Sequence, residues 1–164
     1  MHTWNLSIPQ DLHDKYATLG LNMAASAYRH TPVEVQVSIA LYSFLGIMID
    51  DAIIPSDFIR EFPSRYFENR PQLHPILTHF AEMIARVRTH FLPFGANIII
   101  TNSLDFVNSE MFVRSEGGPD MHAQVDPSYA DYIRLKTGIG EAYAVYVWPR
   151  TMFPDTKTYV QTLP

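Results

Sequence analysis

The chain has no cysteine. Disulfides and thiolate-bound metals are therefore excluded, and an intracellular, cytoplasmic protein is expected. Positive charge is scarce: 12 Lys and Arg against 17 Asp and Glu give a formal net charge of −5. The concentrated basic surface that nucleic acid or an anionic membrane requires is missing, so neither is expected as a partner. The opening residues, MHTWNLSIPQDLHDK, contain no basic region running into an apolar stretch, and no secretory signal is expected. Long hydrophobic runs are lacking as well. The most apolar span, residues 33–49, is interrupted by Glu34, Gln36, Ser38 and Ser43 and falls short of the ~20 apolar residues of a membrane span. Convincing period-two alternation is absent, although Ile98 to Ile100 alone could pass for strand. There is no internal repeat, no low-complexity tract and no evident linker.

What is present is enough apolar matter for a core: 47% of the 164 residues are hydrophobic and 13% aromatic, which bounds the chain as one globular domain. Thr31-Pro32-Val33-Glu34 reads as an N-cap threonine, a proline at the first helical position and a glutamate reaching back, so a helix is expected from here to Ile49. Its apolar residues fall on every face, the mark of a helix buried all round. Residues 74–91 place Ile76, Leu77, Phe80, Met83, Ile84, Val87 and Phe91 at three- and four-residue steps, with Arg86 and Arg88 outside. A further helix is expected from about Phe94 to Val113. SEGGPDMHAQVDP reads as a loop, and Asp126-Pro127 as the start of a helix reaching about Val147. The expected fold class is all-α, a single helical domain over residues 1–164 with about six helices.

One feature needs a physical account. The apolar helix ends in two adjacent acids, Asp50 and Asp51, where the negative end of the helix dipole disfavours carboxylates by ~0.3 to 1 kcal/mol each. A hard divalent cation would reverse the sign of the local field, and Mg²⁺ is commonly held by one or two carboxylates, waters and the phosphates of a substrate. An isolated acidic pair is more often solvated, or caps the segment that begins at Pro55-Ser56-Asp57.

The string MIDDAIIP, followed by RPQLHPIL, FLPFGANIIITNSLDF, a Gly-Gly-Pro loop and YADYIRLKTGIGEAYAVYVWP, resembles the trichodiene synthase family of fungal sesquiterpene cyclases. The resemblance covers roughly residues 30–155 and is carried by the order and spacing of short motifs. It implies a class I terpenoid synthase fold, of which this chain is the N-terminal part of the catalytic domain. It also implies Mg²⁺ as cofactor, and metal-triggered ionisation and cyclisation of farnesyl diphosphate, a small-molecule prenyl diphosphate. The metal would bind at Asp50 and Asp51. Arg134, in YIRLKTGIG, falls on the family's diphosphate-sensing arginine, with the planar fork suited to phosphate oxygens, whereas Lys136 lies ~200° around the helix. Asp50 and Arg134 are thus the candidate catalytic residues. Phe44 and Phe106 are candidates for an aromatic cavity wall that excludes water and stabilises cationic intermediates. A homodimer is implied by the resemblance alone.

The sequence also departs from the family. Ile53 and Ile54 stand where the fuller aspartate motif has another acid. The second metal motif, N-D-x-x-S-x-x-x-K-E, and a downstream Arg-Tyr pair are expected beyond TYVQTLP, so a chain shortened before the second metal motif is expected. Asn97, Thr101 and Asp105 share a face at four-residue steps, but the family alignment places this stretch on a different helix. Asn108 to Glu110 has the wrong spacing for a metal motif, and Gly138-Ile139-Gly140 lacks the preceding strand of a dinucleotide loop. His74 and His79 are five apart, off a common helix face. No Ser-His-Asp set can be assembled. Three functional readings follow: a terpene cyclase of this family; a non-catalytic relic that binds prenyl diphosphate; or an all-α interaction module whose apolar surface recruits another subunit.

Overall fold

A computed structural model describes residues 9–51, 53–114 and 139–154, the side chains of Phe112 and Ile139 excepted. Six helices lie among them: α1 Gln10–Ala27, α2 Val33–Asp50, α3 Ser56–Phe67, α4 Pro75–His90, α5 Pro93–Val113 and α6 Ile139–Val145. No strand occurs among the described residues, Ile98 to Ile100 included, and the all-α expectation holds. The expected loop after α5 and the first part of the helix expected from Asp126-Pro127 lie outside the described residues.

Helix α2 starts one residue later than the cap pattern predicts. Pro32 is the N-cap, in extended backbone, and its carbonyl accepts from the Val35 and Gln36 amides at 3.0 Å. Thr31 makes no cap; its Oγ1 donates to the Tyr28 carbonyl at 2.8 Å, and its own carbonyl accepts from Gln36 Nε2 at 2.8 Å. The expectation of a helix buried all round holds only from Ile39 onward, because Val33 and Val37 are exposed. By length and composition α2 could cross a membrane, contrary to the count made from sequence, yet 61% of its residues are buried inside the protein. It is the core helix, packed on α1 and α4 and touching α5.

The three- and four-residue pattern of α4 becomes its buried face: Ile76, Leu77, Phe80, Met83, Ile84 and Val87 are all inside, as is Phe91, the C-cap. Arg86 and Arg88 are exposed. His74 is its N-cap, its Nδ1 accepting from the Ile76 amide at 3.3 Å. Burial holds the imidazole below its ordinary pKa. Only the neutral ring can accept at Nδ1, so the cap is fully present above the unfolded-state pKa near 6.5 and is lost as pH falls from there through the lower folded value. His74→Ala is expected to cost ~0.5 to 2 kcal/mol at pH 7.5. His74→Asn, which caps without titrating, should flatten the drop in urea stability expected of the wild type between pH 7 and pH 5. An equal drop in the asparagine variant would assign it to other groups.

Small residues set the approach of α1 to α2. A Cβ on Gly20 would stand 2.4 Å from the carbonyl oxygen of Ala40, closer than any real contact, so the two backbones pack directly at this point. On the far side of α2 a continuous aromatic core links four helices. Phe62 of α3 meets Phe80 of α4 at 5.8 Å, Phe80 stacks on Tyr42 of α2 at 6.0 Å, and Tyr42 meets Tyr143 of α6 edge-on at 5.5 Å. Tyr146, one residue past α6, is fully buried among Tyr28, Tyr42 and Phe91. Burial and the neighbouring phenols push the Tyr146 and Tyr42 hydroxyls well above the ordinary tyrosine range, and Tyr28 up to about 12. The hydroxyls are satisfied in place: Tyr28 donates to the Tyr143 carbonyl at 3.0 Å, and Ser43 Oγ shares a bond of 2.8 Å with Tyr143 Oη.

Candidate functional site

Burial along α2 ends abruptly. Met48 and Ile49 are wholly inside the core, whereas Asp50, the last helical residue, and Asp51, the C-cap, are exposed. The Asp51 amide donates to the Ile47 carbonyl at 2.9 Å, so the last turn is regular up to the cap. A rigid, buried rod thus carries two carboxylates to its solvent end.

The counter-charge at this end comes from α5. Arg114, at the C-terminal end of α5, donates Nη1 to the Ile54 carbonyl at 2.8 Å, and Nη2 to the carbonyls of Ile49 and Asp50, the latter at 3.5 Å. A guanidinium with 11% of its side chain exposed therefore occupies the negative end of the α2 dipole and spans the connection from α2 toward α3. Its Nε lies 3.6 Å from Glu110 Oε2, one turn earlier on α5, and Glu110 is 2% exposed. Glu110 thus belongs to this ion pair. The sequence reading missed Arg114. Its one local signal was the Glu110–Arg114 spacing of four residues, since its partners lie 60 to 65 positions away.

A second tie comes from α1. The Tyr16 hydroxyl donates to Asp51 Oδ2, and the Tyr16 ring is buried. One carboxylate oxygen of Asp51 is engaged by α1, and Arg114 bonds to the backbone carbonyl of Asp50. Against Mg²⁺ the donor set is chemically apt, with two hard oxygen ligands at an exposed position, matching an ion that takes one or two carboxylates and fills its shell with water and phosphate. Among the described residues no group of three or more His, Asp or Glu comes together, so the carboxylate or imidazole ligands they bring to this tip number at most the acidic pair.

The other candidates lie elsewhere. Arg134 lies outside the described residues, as does Gly138. Phe44 is buried at the seam of α1 and α2, its ring edge-on to His13 at 5.3 Å, and lines an apolar cleft of about 240 Å³ with His13, Leu21, Val37 and Leu41. Phe106 is buried on α5 and does not line that cleft. Asn97, Thr101 and Asp105 share an exposed face of α5. A Cβ on Gly140 would meet nothing within 4 Å, so close packing does not explain that glycine.

Comparison with known proteins gives a consistent result. The family described as Trichodiene synthase (TRI5) matches residues 8–163. Terpene synthase BipA of Cochliobolus sativus is 34% identical over 151 residues, 92% of this chain and 46% of that protein. Terpene synthase 29 of Postia placenta is 31% identical over 147 residues, 88% of this chain and 43% of that protein. (E)-beta farnesene synthase of Metarhizium brunneum is 28% identical over 134 residues, 81% of this chain and 40% of that protein. The chain thus spans less than half the length of these relatives.

Proposed function

Since this chain belongs to the trichodiene synthase family, we propose that it furnishes the aspartate-bearing part of a sesquiterpene synthase catalytic domain. The reaction is the Mg²⁺-dependent ionisation and cyclisation of farnesyl diphosphate with loss of diphosphate. The observation that carries this reading is the exposed end of the buried helix α2, where Asp50 and Asp51 stand side by side; the resemblance assigns the aspartate motif to these two residues. Relatives named as terpene synthases, one of them a farnesene synthase, support the substrate class.

Asp50 and Asp51 would hold the metal. When bound, Mg²⁺ supplies positive charge against the oxygens of a departing diphosphate. The chain's own part is to present those acids on a rod that does not bend, because the residues just before them are locked in the core. Asp50 is the candidate catalytic ligand in this reading, and Asp51, whose Oδ2 accepts from Tyr16, stands beside it. Arg134 is the proposed cationic partner of the diphosphate. Phe44 and Phe106 are the proposed aromatic wall from which water is kept.

The test is direct. The catalytic domain that includes this chain, incubated with farnesyl diphosphate and Mg²⁺, is expected to release inorganic diphosphate and a volatile hydrocarbon detectable by headspace gas chromatography, and EDTA should stop both. Saturable diphosphate binding with no hydrocarbon would favour a prenyl-diphosphate binding protein instead. Neither binding nor release would defeat the proposal.

A further inference from the structure

Arg114 has no role in the reading above, yet its geometry is specific. One planar fork reaches carbonyls on both sides of the connection that follows α2: Ile49 and Asp50 before it, Ile54 after it. A lysine could supply the same charge but not parallel donors at fixed angles. Glu110, buried on the preceding turn of α5, holds the guanidinium from behind. The last three or four carbonyls of a helix have no intrahelical partner, and the final turn frays unless something binds them. Here the binding group comes from another helix, so the direction of the last turn is referred to α5.

We propose that Arg114 is a positioning residue for metal–diphosphate recognition: by fastening the end of α2 to α5 it fixes the direction in which Asp50 presents its carboxylate. The inference rests on the proposed metal role of Asp50. Tyr16 acts on the same end from the opposite side through Asp51, so the acidic tip is held between α1 and α5. Partners that orient a metal ligand without touching the metal commonly account for about 10 to 100-fold in affinity, and that is the range expected here.

The experiment titrates the whole chain with Mn²⁺ in the presence of inorganic pyrophosphate and reads free Mn²⁺ by electron paramagnetic resonance. Wild type, Arg114→Lys, Arg114→Gln, Asp50→Asn and the Arg114→Lys/Asp50→Asn double variant are compared, with far-ultraviolet circular dichroism as the check on folding. Arg114→Lys should stay helical and bind Mn²⁺ at least about tenfold more weakly. The double variant should be no weaker than Asp50→Asn alone, because the arginine acts through the aspartate. Wild-type affinity in Arg114→Lys overturns the proposal, since charge without the fork would then suffice. So do losses that multiply in the double variant, which would show two independent contributions. If both arginine variants unfold, Glu110→Gln, which keeps the fork but loosens its hold, carries the comparison: weakened binding supports the proposal and unchanged binding overturns it. Unchanged affinity in Asp50→Asn, or no Mn²⁺ uptake by the wild type, overturns the metal reading of the tip itself and the positioning role with it.

Discussion

Asp50→Asn will lower diphosphate release by at least about a hundredfold, the upper end of the loss from removing even an outer partner of a metal site, and it will leave the fold intact. The two halves of this expectation have separate causes. Asparagine keeps the shape of the side chain but gives a metal one neutral carbonyl oxygen in place of an anionic carboxylate, a poor exchange for a hard divalent ion. The fold should survive because Asp50 is exposed and the Arg114 bonds at this end run to the backbone carbonyls of residues 49, 50 and 54, which asparagine leaves in place. Relief of the unfavourable charge at a helix C-terminus, ~0.3 to 1 kcal/mol, is offset by the lost attraction to the Arg114 guanidinium. Thermal unfolding of the variant should therefore stay close to that of the wild type, while turnover collapses. Turnover that survives the substitution would remove Asp50 from the mechanism.

How far the sequence disclosed this arrangement depends on what each helix uses for packing. Helix α4 was legible, since its contacts are made by large apolar side chains at helical spacing, and all seven, Phe91 at the C-cap included, went inside. Helix α1 was not drawn from sequence, and the reason is physical. Its buried face is Tyr16, Gly20 and Ala24, whereas Leu19 and Leu21 are exposed. Close approach of backbones, as at Gly20 and Ala40, needs small residues, so the hydrophobic pattern points away from the true interface. Helix α3 was hidden by Pro63, which stands inside it although proline ordinarily ends a helix. At the candidate site the acids were legible as an anomaly at the end of an apolar run. The groups that hold them were not, because Tyr16 lies 35 positions from Asp51 and Arg114 lies 60 from Ile54. Periodicity reports which face is buried and is silent on which distant side chain meets it.

The same distinction makes Tyr146 the most sensitive point in the core. It lies just beyond α6, past the end of any amphipathic pattern, and is wholly buried. Its ring meets Phe91 at 5.2 Å, Tyr42 at 5.7 Å and Tyr28 at 6.5 Å, so residues following α1, inside α2 and closing α4 converge on one side chain. Its hydroxyl reaches Met83 Sδ at 3.8 Å, a weak acceptor. Tyr146→Ala is expected to destabilise the protein by ~3 to 5 kcal/mol, the range for removing a buried aromatic ring. At ~2 to 4 °C per kcal/mol for a chain of this size, the unfolding midpoint should drop by roughly 6 to 20 °C. Tyr146→Phe keeps the ring and gives up the contact to sulfur and the side-chain hydrogen bond with Ser38, so it should lose only ~0.5 to 1.5 kcal/mol. Urea melts followed by circular dichroism separate the two: a phenylalanine variant as unstable as the alanine variant would mean that the hydroxyl, and not the ring, holds α6 to the rest of the bundle.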